Sequence, residues 1–367
     1  MVTSQKCTPI STGQSTHSVP RFLVLLVSLG IITGSCGSCK AQGHVEFRVM
    51  KDQRKVEVTV DGEFFTAYIY PEELEKPVLY PVVAPGGMIV TRGFPIEPRK
   101  GERVDHPHQV GLWFNYGDVN GYDFWNNSSA VSPDRKSHYG RIIHREISGT
   151  ETYGDKGILR VRMDWMAPDT ERATRLLEEQ TTYIFRGKGQ LRIIDRNTRL
   201  KAVSGPVTFT DNKEGMLAIR TDRAFEHPSD EPLIFTDATG SPTKVPLLDN
   251  EGVTGWYRNS NGDEGNDVWG KNARWVKLGA TRGGQSYSIV IFDHPGNMNY
   301  PSCWHARGYG LFSVNNLGRQ VYNPDLEKFQ FTLENGGILE FRHRIVVASS
   351  DLSDREISEL ESEFIAE

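Results

Sequence analysis

The 367-residue sequence is poor in cysteine, and the positions of its four cysteines matter more than their number. Cys7, Cys36 and Cys39 fall in an N-terminal leader, which leaves Cys303 alone in the body. A single body cysteine excludes an internal disulfide framework, so stability must come from core burial, which a chain of this length can supply. Cys303 itself reads as a small buried hydrophobe rather than a nucleophile. Long apolar runs are also missing. The one apolar stretch, residues 22–32, falls short of the roughly 20 residues that a membrane-spanning helix needs. Nor is there an excess of one sign of charge: Lys and Arg total 42 against 47 for Asp and Glu. That balance excludes the basic footprint of a nucleic-acid-binding protein. Finally, the body has no Walker loop, no Gly-x-Ser-x-Gly elbow, no His-Glu-x-x-His and no paired metal-binding cysteines. These absences remove classes of chemistry and select none.

The short apolar run follows Arg21 and leads into small residues, the layout of a secretory signal. Two exits are open. Thr33-Gly34-Ser35-Cys36 reads as a loose lipobox ending in a lipidated Cys36, and Cys39-Lys40-Ala41 before Gln42 reads as an ordinary cleavage site. Residues 1–42 are therefore expected to be a signal peptide or lipoprotein leader. Residues 43–367 are expected to form a single exported domain, periplasmic or held at the outer membrane only through an N-terminal lipid.

Within that body, 36 glycines, seven tryptophans and thirteen tyrosines suit tight turns and strands, and exported aromatic surfaces often stack on sugar rings. Period-two alternation recurs. Val56, Val58 and Val60 oppose Glu57 and Thr59, and Leu159, Val161, Met163 and Trp165 alternate with Arg160, Arg162 and Asp164. Phe329, Phe331 and Leu333 run into Asn335-Gly336, which predicts a hairpin returning through Leu339, Phe341, His343, Ile345 and Val347. Residues 170–180 fit helix or strand. One helix is well signalled, because Ser353-Asp354-Arg355-Glu356 is a capping box followed by Ile357, Leu360 and Phe364 at helical spacing. The expected fold is all-β, an antiparallel β-sandwich with a short C-terminal helix.

Polar residues crowd four segments. Residues 105–125 contain His106, His108, Asn115, Asp118 and Asp123 among glycines, with Trp113 and Trp125. His106 and His108 are two apart, so on a strand they would share a face, as a metal-binding or acid/base pair; Pro107 between them favours an edge or loop. Residues 210–222 offer Asp211 and Glu214 as acids and Arg220 as a clamp for substrate oxygens. Residues 267–271 place Lys271 in a loop rich in glycine and asparagine. Residues 292–312 bring His305 and Arg307, two apart on an expected strand. His343, on the apolar face of its strand, reads as a core histidine.

At these segments the sequence resembles the exported bacterial family known as methane oxygenase PmoA. The resemblance rests on Asp105-His106-Pro107-His108, Gly111-Leu112-Trp113, Gly117-Asp118-Val119-Asn120-Gly121, Asp123-Phe124-Trp125, Trp269-Gly270-Lys271 and Arg307-Gly308-Tyr309-Gly310-Leu311-Phe312. Many members read His-His-Arg-Gly where this chain has His108-Gln109-Val110-Gly111, so an arginine is missing here. The namesake subunit crosses the membrane several times, and one apolar run cannot do that. The resemblance instead implies a sandwich similar to the sugar-mutarotase supersandwich, in a family serving saccharide breakdown.

The leading expectation is an exported carbohydrate-active enzyme that cleaves or isomerises a glycoside or modified sugar. Glu214 or Asp118 would be the acid or base, and His106 and His305 the proton-transfer partners. His108, Asn115, Asp123, Arg220, Lys271 and Arg307 would bind the substrate, and Trp113 and Trp125 would stack on its ring. The alternatives are a non-catalytic saccharide-binding lipoprotein, or a metal-dependent oxygenase or lyase with a divalent ion on His106, His108 and an acid. In the enzymatic readings all four segments should converge on one concave face.

Overall fold

Alternating side chains become strands where one face can be buried. Val56, Val58 and Val60 are fully buried while their neighbours stay partly exposed, and Leu159, Val161, Met163 and Trp165 repeat the pattern. A period of two in sequence is a period of two across the pleat. The computed structural model describes residues 43–168 and 174–367. In chain order the strands begin with β1 (Val45–Met50), β2 (Lys55–Val60), β3 (Glu63–Ile69), β4 (Val78–Val82) and β5 (Leu112–Tyr116). Next come β6 (Arg141–Tyr153), β7 (Lys156–Ala167), β8 (Thr174–Lys188), β9 (Leu191–Ala202), β10 (Val207–Thr210) and β11 (Gly215–Arg220). The rest are β12 (Trp256–Asn259), β13 (Trp275–Arg282), β14 (Gln285–Asp293), β15 (Cys303–Arg307), β16 (Leu311–Asn315), β17 (Gln330–Leu333) and β18 (Ile338–Ala348). One α-helix follows, α1 (Asp354–Ala366).

The strands form a sandwich of two eight-stranded antiparallel sheets. The first has the order β1-β2-β3-β4-β5-β11-β16-β15 and the second β12-β13-β14-β18-β9-β8-β7-β6. Their facing sides share one apolar core, in which Val56, Leu112 and Phe312 from the first sheet meet Trp165, Ile291 and Ile345 from the second. Helix α1 starts as expected: Ser353 accepts from the Glu356 amide and Glu356 accepts from the Ser353 amide. Its apolar stripe of Ile357, Leu360 and Phe364 packs on Trp275, Phe292 and Val346, on the outer face of the second sheet.

Two local expectations change. Asn335-Gly336 makes a turn, with Gly336 at φ 80°, but not a hairpin. Strand β17 pairs with β10, whereas β18 pairs with β14 and β9, so the turn moves the chain from a small two-stranded sheet into the second large one. Of the ambiguous stretch 170–180, residues 174–180 belong to strand β8, and the others lie outside the described residues, as does the leader 1–42. Cys303 and His343 are buried, as expected. Among the described residues no helix is long and apolar enough to cross a membrane.

The two ends of the first sheet are built differently. Strand β1 buries only Val45, whereas β5, β11 and β16 are buried along their whole length. On the inter-sheet side they bury Leu112, Phe114 and Tyr116 in the main core. On the outer side a second cluster forms from Trp113, Ala218 and Leu311 with Val110, Trp125 and Tyr309, which arrive from the connections flanking these strands. Those same connections carry the polar segments.

Candidate active site

Strand register aligns the candidates before any loop is considered. Residues directly opposite in an antiparallel pair share a face. Trp113 lies opposite Ala218, Ala218 opposite Ser313, and Ser313 opposite His305. One pleat along, Arg220 lies opposite Leu311 and Leu311 opposite Arg307. Trp113, Arg220, His305 and Arg307 therefore share the outer face across β5, β11, β16 and β15, and Asn115 joins them two residues beyond Trp113.

The loop at 105–109 is fixed to this face by two buried guanidiniums. Arg92 donates to Asp105 Oδ1 at 2.5 Å and to the carbonyls of His106 and Gln109 at 3.1 and 3.2 Å. Arg220 donates to the same Asp105 oxygen at 2.7 Å and to Gln109 Oε1 at 2.5 Å. Burial pushes the Asp105 carboxyl up, but Arg220, His106 and Arg92 together outweigh it and hold the group well below the ordinary carboxylate range. Its second oxygen lies 3.3 Å from His106 Nδ1. His106 adopts φ 43°, a left-handed conformation costing a non-glycine residue about 1–2 kcal/mol, and its ring stacks on Tyr309 at 5.0 Å and 5°. Strained backbone held this firmly is typical of functional positions.

The pair His106 and His108 differs from the expected strand arrangement. Both lie in a loop, as Pro107 requires, with ring centroids 5.6 Å apart and planes at 82°. His108 is largely buried, and burial, the nearby Lys76 and His106 push its imidazole down to about 2. Among the described residues no three His, Cys, Asp or Glu side chains are grouped to hold a metal ion. A divalent ion on this pair would thus lack a third ligand.

His305 and Glu214 form the second half of the site. His305 Nδ1 lies 2.9 Å from the Lys213 carbonyl. A carbonyl only accepts, so Nδ1 carries the proton and Nε2 is left with its lone pair. Tyr322 donates to the same carbonyl at 2.7 Å, and Asn212 accepts from the Glu214 amide at 2.9 Å, which pins the turn. Glu214 Oε2 approaches His305 Nδ1 to 3.7 Å, is buried, and has no hydrogen-bond partner among the described residues. Burial raises the Glu214 carboxyl above its usual range, more than the adjacent Lys213 lowers it. Burial likewise drops His305 to about 4. Both shifts favour the uncharged forms of the two groups.

The four segments thus meet on one face. His106 on Tyr309 joins the first to the fourth, Asp105 on Arg220 the first to the second, and His305 on Lys213 the second to the fourth. Arg307, over the Trp269 ring at 5.8 Å, brings in the third.

Other candidates are committed elsewhere. Trp113 and Trp125 are buried against each other at 5.2 Å, so they form the floor of the face and cannot stack on a ligand ring. Asn115 accepts from Trp113 Nε1 and donates to the Phe124 carbonyl, which occupies its amide. Asp118 accepts from the Gly121 amide and closes a turn, and Asp123 accepts from Trp125 N, Asn126 N and Asn126 Nδ2. Asp211 takes the amides of Arg319, Gln320 and Phe329. Arg220 is fully buried and positions Asp105 instead of reaching a ligand. Lys271 is exposed.

Four residues of this face had no assigned role from sequence. Arg92 sits in an unremarkable Thr91-Arg92-Gly93. Tyr309 and Trp269 lay inside the segments that carried the family resemblance, which was their only signal. Lys76 is buried, donates to the His108 carbonyl at 2.7 Å, lies 5.5 Å from the Trp113 ring, and is pushed by burial down to about 7. A cleft of about 430 Å³ lined by Arg54, Tyr70, Lys76, Arg141 and His144 shares only Lys76 with the cluster and contains none of its acid or base groups.

No curated protein matches the sequence. Among solved structures, the chain is similar to the GH36 α-galactosidase AgaB of Geobacillus stearothermophilus at 10% identity and a TM-score of 0.40, covering 83% of this chain and 41% of that one. It is similar to the galactosidase domain of an α-galactosidase–sucrose kinase at 9% identity and 0.37, covering 83% and 42%. It thus spans about two-fifths of those two chains, which match at 41% and 42% of their length. A galactose mutarotase-like protein of Clostridium acetobutylicum matches at 10% identity and 0.34, covering 83% and 98%. These likenesses are distant, and the chemistry of the site rests on its own residues. The match that spans most of the chain is at the level of family: residues 55–361 fit the model of a family of unknown function (DUF6807), and the protein belongs to that family.

Proposed function

We propose that the outer face of the first sheet is the active site of a carbohydrate-active enzyme that works by proton transfer between Glu214 and the two histidines. The observation that carries this reading is Glu214 itself. Its Oε2 is buried without a hydrogen-bond partner among the described residues, burial pushes its carboxyl up towards the protonated form, and it lies beside an imidazole whose Nε2 has a free lone pair. Groups poised on opposite sides of a proton transfer, in a setting that favours the uncharged form of both, suit general acid–base catalysis. Glu214 would give its proton to a substrate oxygen, and His305 Nε2 or His106 would accept one from a substrate hydroxyl or carbon. Asp105 would hold His106 in orientation. The stacked Tyr309 and the Arg307 guanidinium would contact the sugar.

The same geometry favours isomerisation or elimination over hydrolysis by two carboxylates. Hydrolysis of that kind needs a second free carboxylate roughly 5–10 Å from the acid. Asp105 is held by two arginines, Asp118 closes a turn and Asp123 is occupied by three donors. None is free to attack.

The test is product formation from a panel of plant and host glycans by wild type and Glu214→Gln, with calorimetric binding alongside. The substitution keeps shape and removes the transferable proton. Turnover should fall by about 10²–10⁴-fold with affinity little changed. Binding without turnover by the wild type would make the protein a saccharide-binding module instead.

A further inference from the structure

Arg307 differs from the other arginines of this face. Arg92 and Arg220 are buried and share Asp105. Arg307 is exposed, and among the described residues no carboxylate or carbonyl pairs with its guanidinium. Its position is nevertheless defined. It extends from the end of β15, two residues beyond His305, and lies over the rings of Trp269 at 5.8 Å and Tyr309 at 5.9 Å. Trp269 Nε1, also beside it, is buried without a hydrogen-bond partner among the described residues. Two aromatic faces thus hold a free guanidinium next to an unpartnered indole N–H.

The charge around it is lopsided. Two guanidiniums meet one carboxylate at Asp105, and Asp123 is saturated by its own loop. Glu214 already has Lys213 Nζ at 3.4 Å and is raised by burial. No acidic group of the site remains to balance Arg307. A planar fork lying over two rings can offer an oxyanion two parallel hydrogen bonds, whereas it gains much less from a neutral hydroxyl.

We infer that the substrate is an acidic saccharide, whose carboxylate (as in a uronic acid) or sulfate ester docks on Arg307 while its ring oxygens face Glu214 and His305. This rests on the proposal that the face binds a sugar, and it adds the class of sugar. It also completes the electrostatics: an anion beside Glu214 would keep that carboxyl protonated, the form needed for it to act as an acid.

The probes are glucuronate, galacturonate, a galactose sulfate, and neutral glucose and galactose, each titrated by calorimetry into wild type, Arg307→Gln and Arg307→Lys. A charge-assisted pair should give the anionic sugars about 10- to 100-fold tighter binding than the neutral ones. Arg307→Gln should abolish that preference, weakening the anionic sugars about 10- to 100-fold more than the neutral ones, and Arg307→Lys should restore part of it. Which anionic sugar wins identifies carboxylate or sulfate. Equal binding of anionic and neutral sugars by wild type, or a preference that survives in Arg307→Gln, overturns the inference. If no sugar binds at all, the saccharide reading fails on its own. The anion site is then judged by malate and lactate against glycerol, where the absence of an Arg307-dependent preference overturns it.

Discussion

Two carboxylates in this molecule, Asp195 and Asp105, are each gripped by two buried arginines, and only Asp105 serves the candidate site. Asp195, beneath α1, has both oxygens taken: Arg344 Nε donates to Oδ1 at 2.5 Å, while Arg344 Nη2, at 2.9 Å, and Arg186 share Oδ2. Glu367 adds contacts to the same two guanidiniums at 2.5 and 3.1 Å. Asp105 receives both Arg92 and Arg220 on Oδ1 and turns Oδ2 towards His106. Beneath α1 the charges close on one another. On the outer face of the first sheet the network ends in groups without partners: Glu214 Oε2, His305 Nε2 and Arg307. Both places set two guanidiniums around one aspartate, and both leave a guanidinium Nε without a partner among the described residues; what separates the chemical cluster from the structural one is unused capacity on groups that can exchange a proton.

The largest effect is expected at the closed cluster. Asp195→Asn takes from Arg344, only 1% exposed, its bidentate partner and leaves it a single ion pair, with the partly exposed Glu367. Breaking a buried pair from one side costs about 3–5 kcal/mol, so urea unfolding should show a loss of that size while turnover per folded molecule is unchanged. Asp105→Asn strands Arg92 and Arg220 in the same way, but the Gln109 side chain and three carbonyls still accept from them. Its stability loss should be smaller, about 2–4 kcal/mol, and turnover of the folded fraction should fall as well because His106 loses its orienting partner. If Asp105→Asn spares turnover, the two clusters are alike and the contrast collapses.

A smaller effect follows from the buried histidines of both regions. Burial lowers His305 to about 4 and the core residue His343 to about 3, from an ordinary value of 6.5. The unfolded chain therefore binds protons below pH 6.5 that the native state refuses until about 4 or 3, so this stability is present above 6.5 and is lost as pH falls. The loss at pH 5 should be on the order of 2 kcal/mol per histidine. His305→Asn should remove one such share from the difference between unfolding at pH 7 and at pH 5. Glu214 has the opposite sign: burial makes its carboxyl hold its proton more tightly in the native state, which favours that state at low pH, and the contribution fades as pH rises through the shifted value.

The sandwich was legible because alternation at Val56–Val60 and Leu159–Trp165 reports burial of one face, and burial is what a strand responds to. The capping box at Ser353 and Glu356 was legible for the same reason, since its partners are three residues apart. The candidate segments were also visible, because histidines and carboxylates among glycines stand out locally. Their division of labour was not. Trp113 and Asn115 look like ligand contacts until loops from residues 110 and 125 close over them. Asp118 looks like an acid until it is seen to cap Gly121. Arg92 and Lys76 reach the site across the sheet, and no local pattern announces a partner 13 or 32 residues away. The failed hairpin at Asn335-Gly336 has the same cause: the turn residues were read correctly, but the pairing of β17 with β10 is a long-range choice.

The most direct test of the contrast sets Glu214→Gln beside Asp195→Asn in one experiment, with saccharide turnover and urea unfolding both measured on each protein. Glu214→Gln should lose about 10²–10⁴-fold in turnover and nearly keep its unfolding midpoint, since Oε2 has no partner to lose among the described residues and the contact of Oε1 with Lys213 is to an exposed side chain. Asp195→Asn should show the reverse. Full turnover in Glu214→Gln, or a loss of stability in Glu214→Gln as large as that in Asp195→Asn, would contradict the assignment of Glu214 as the proton donor of this face.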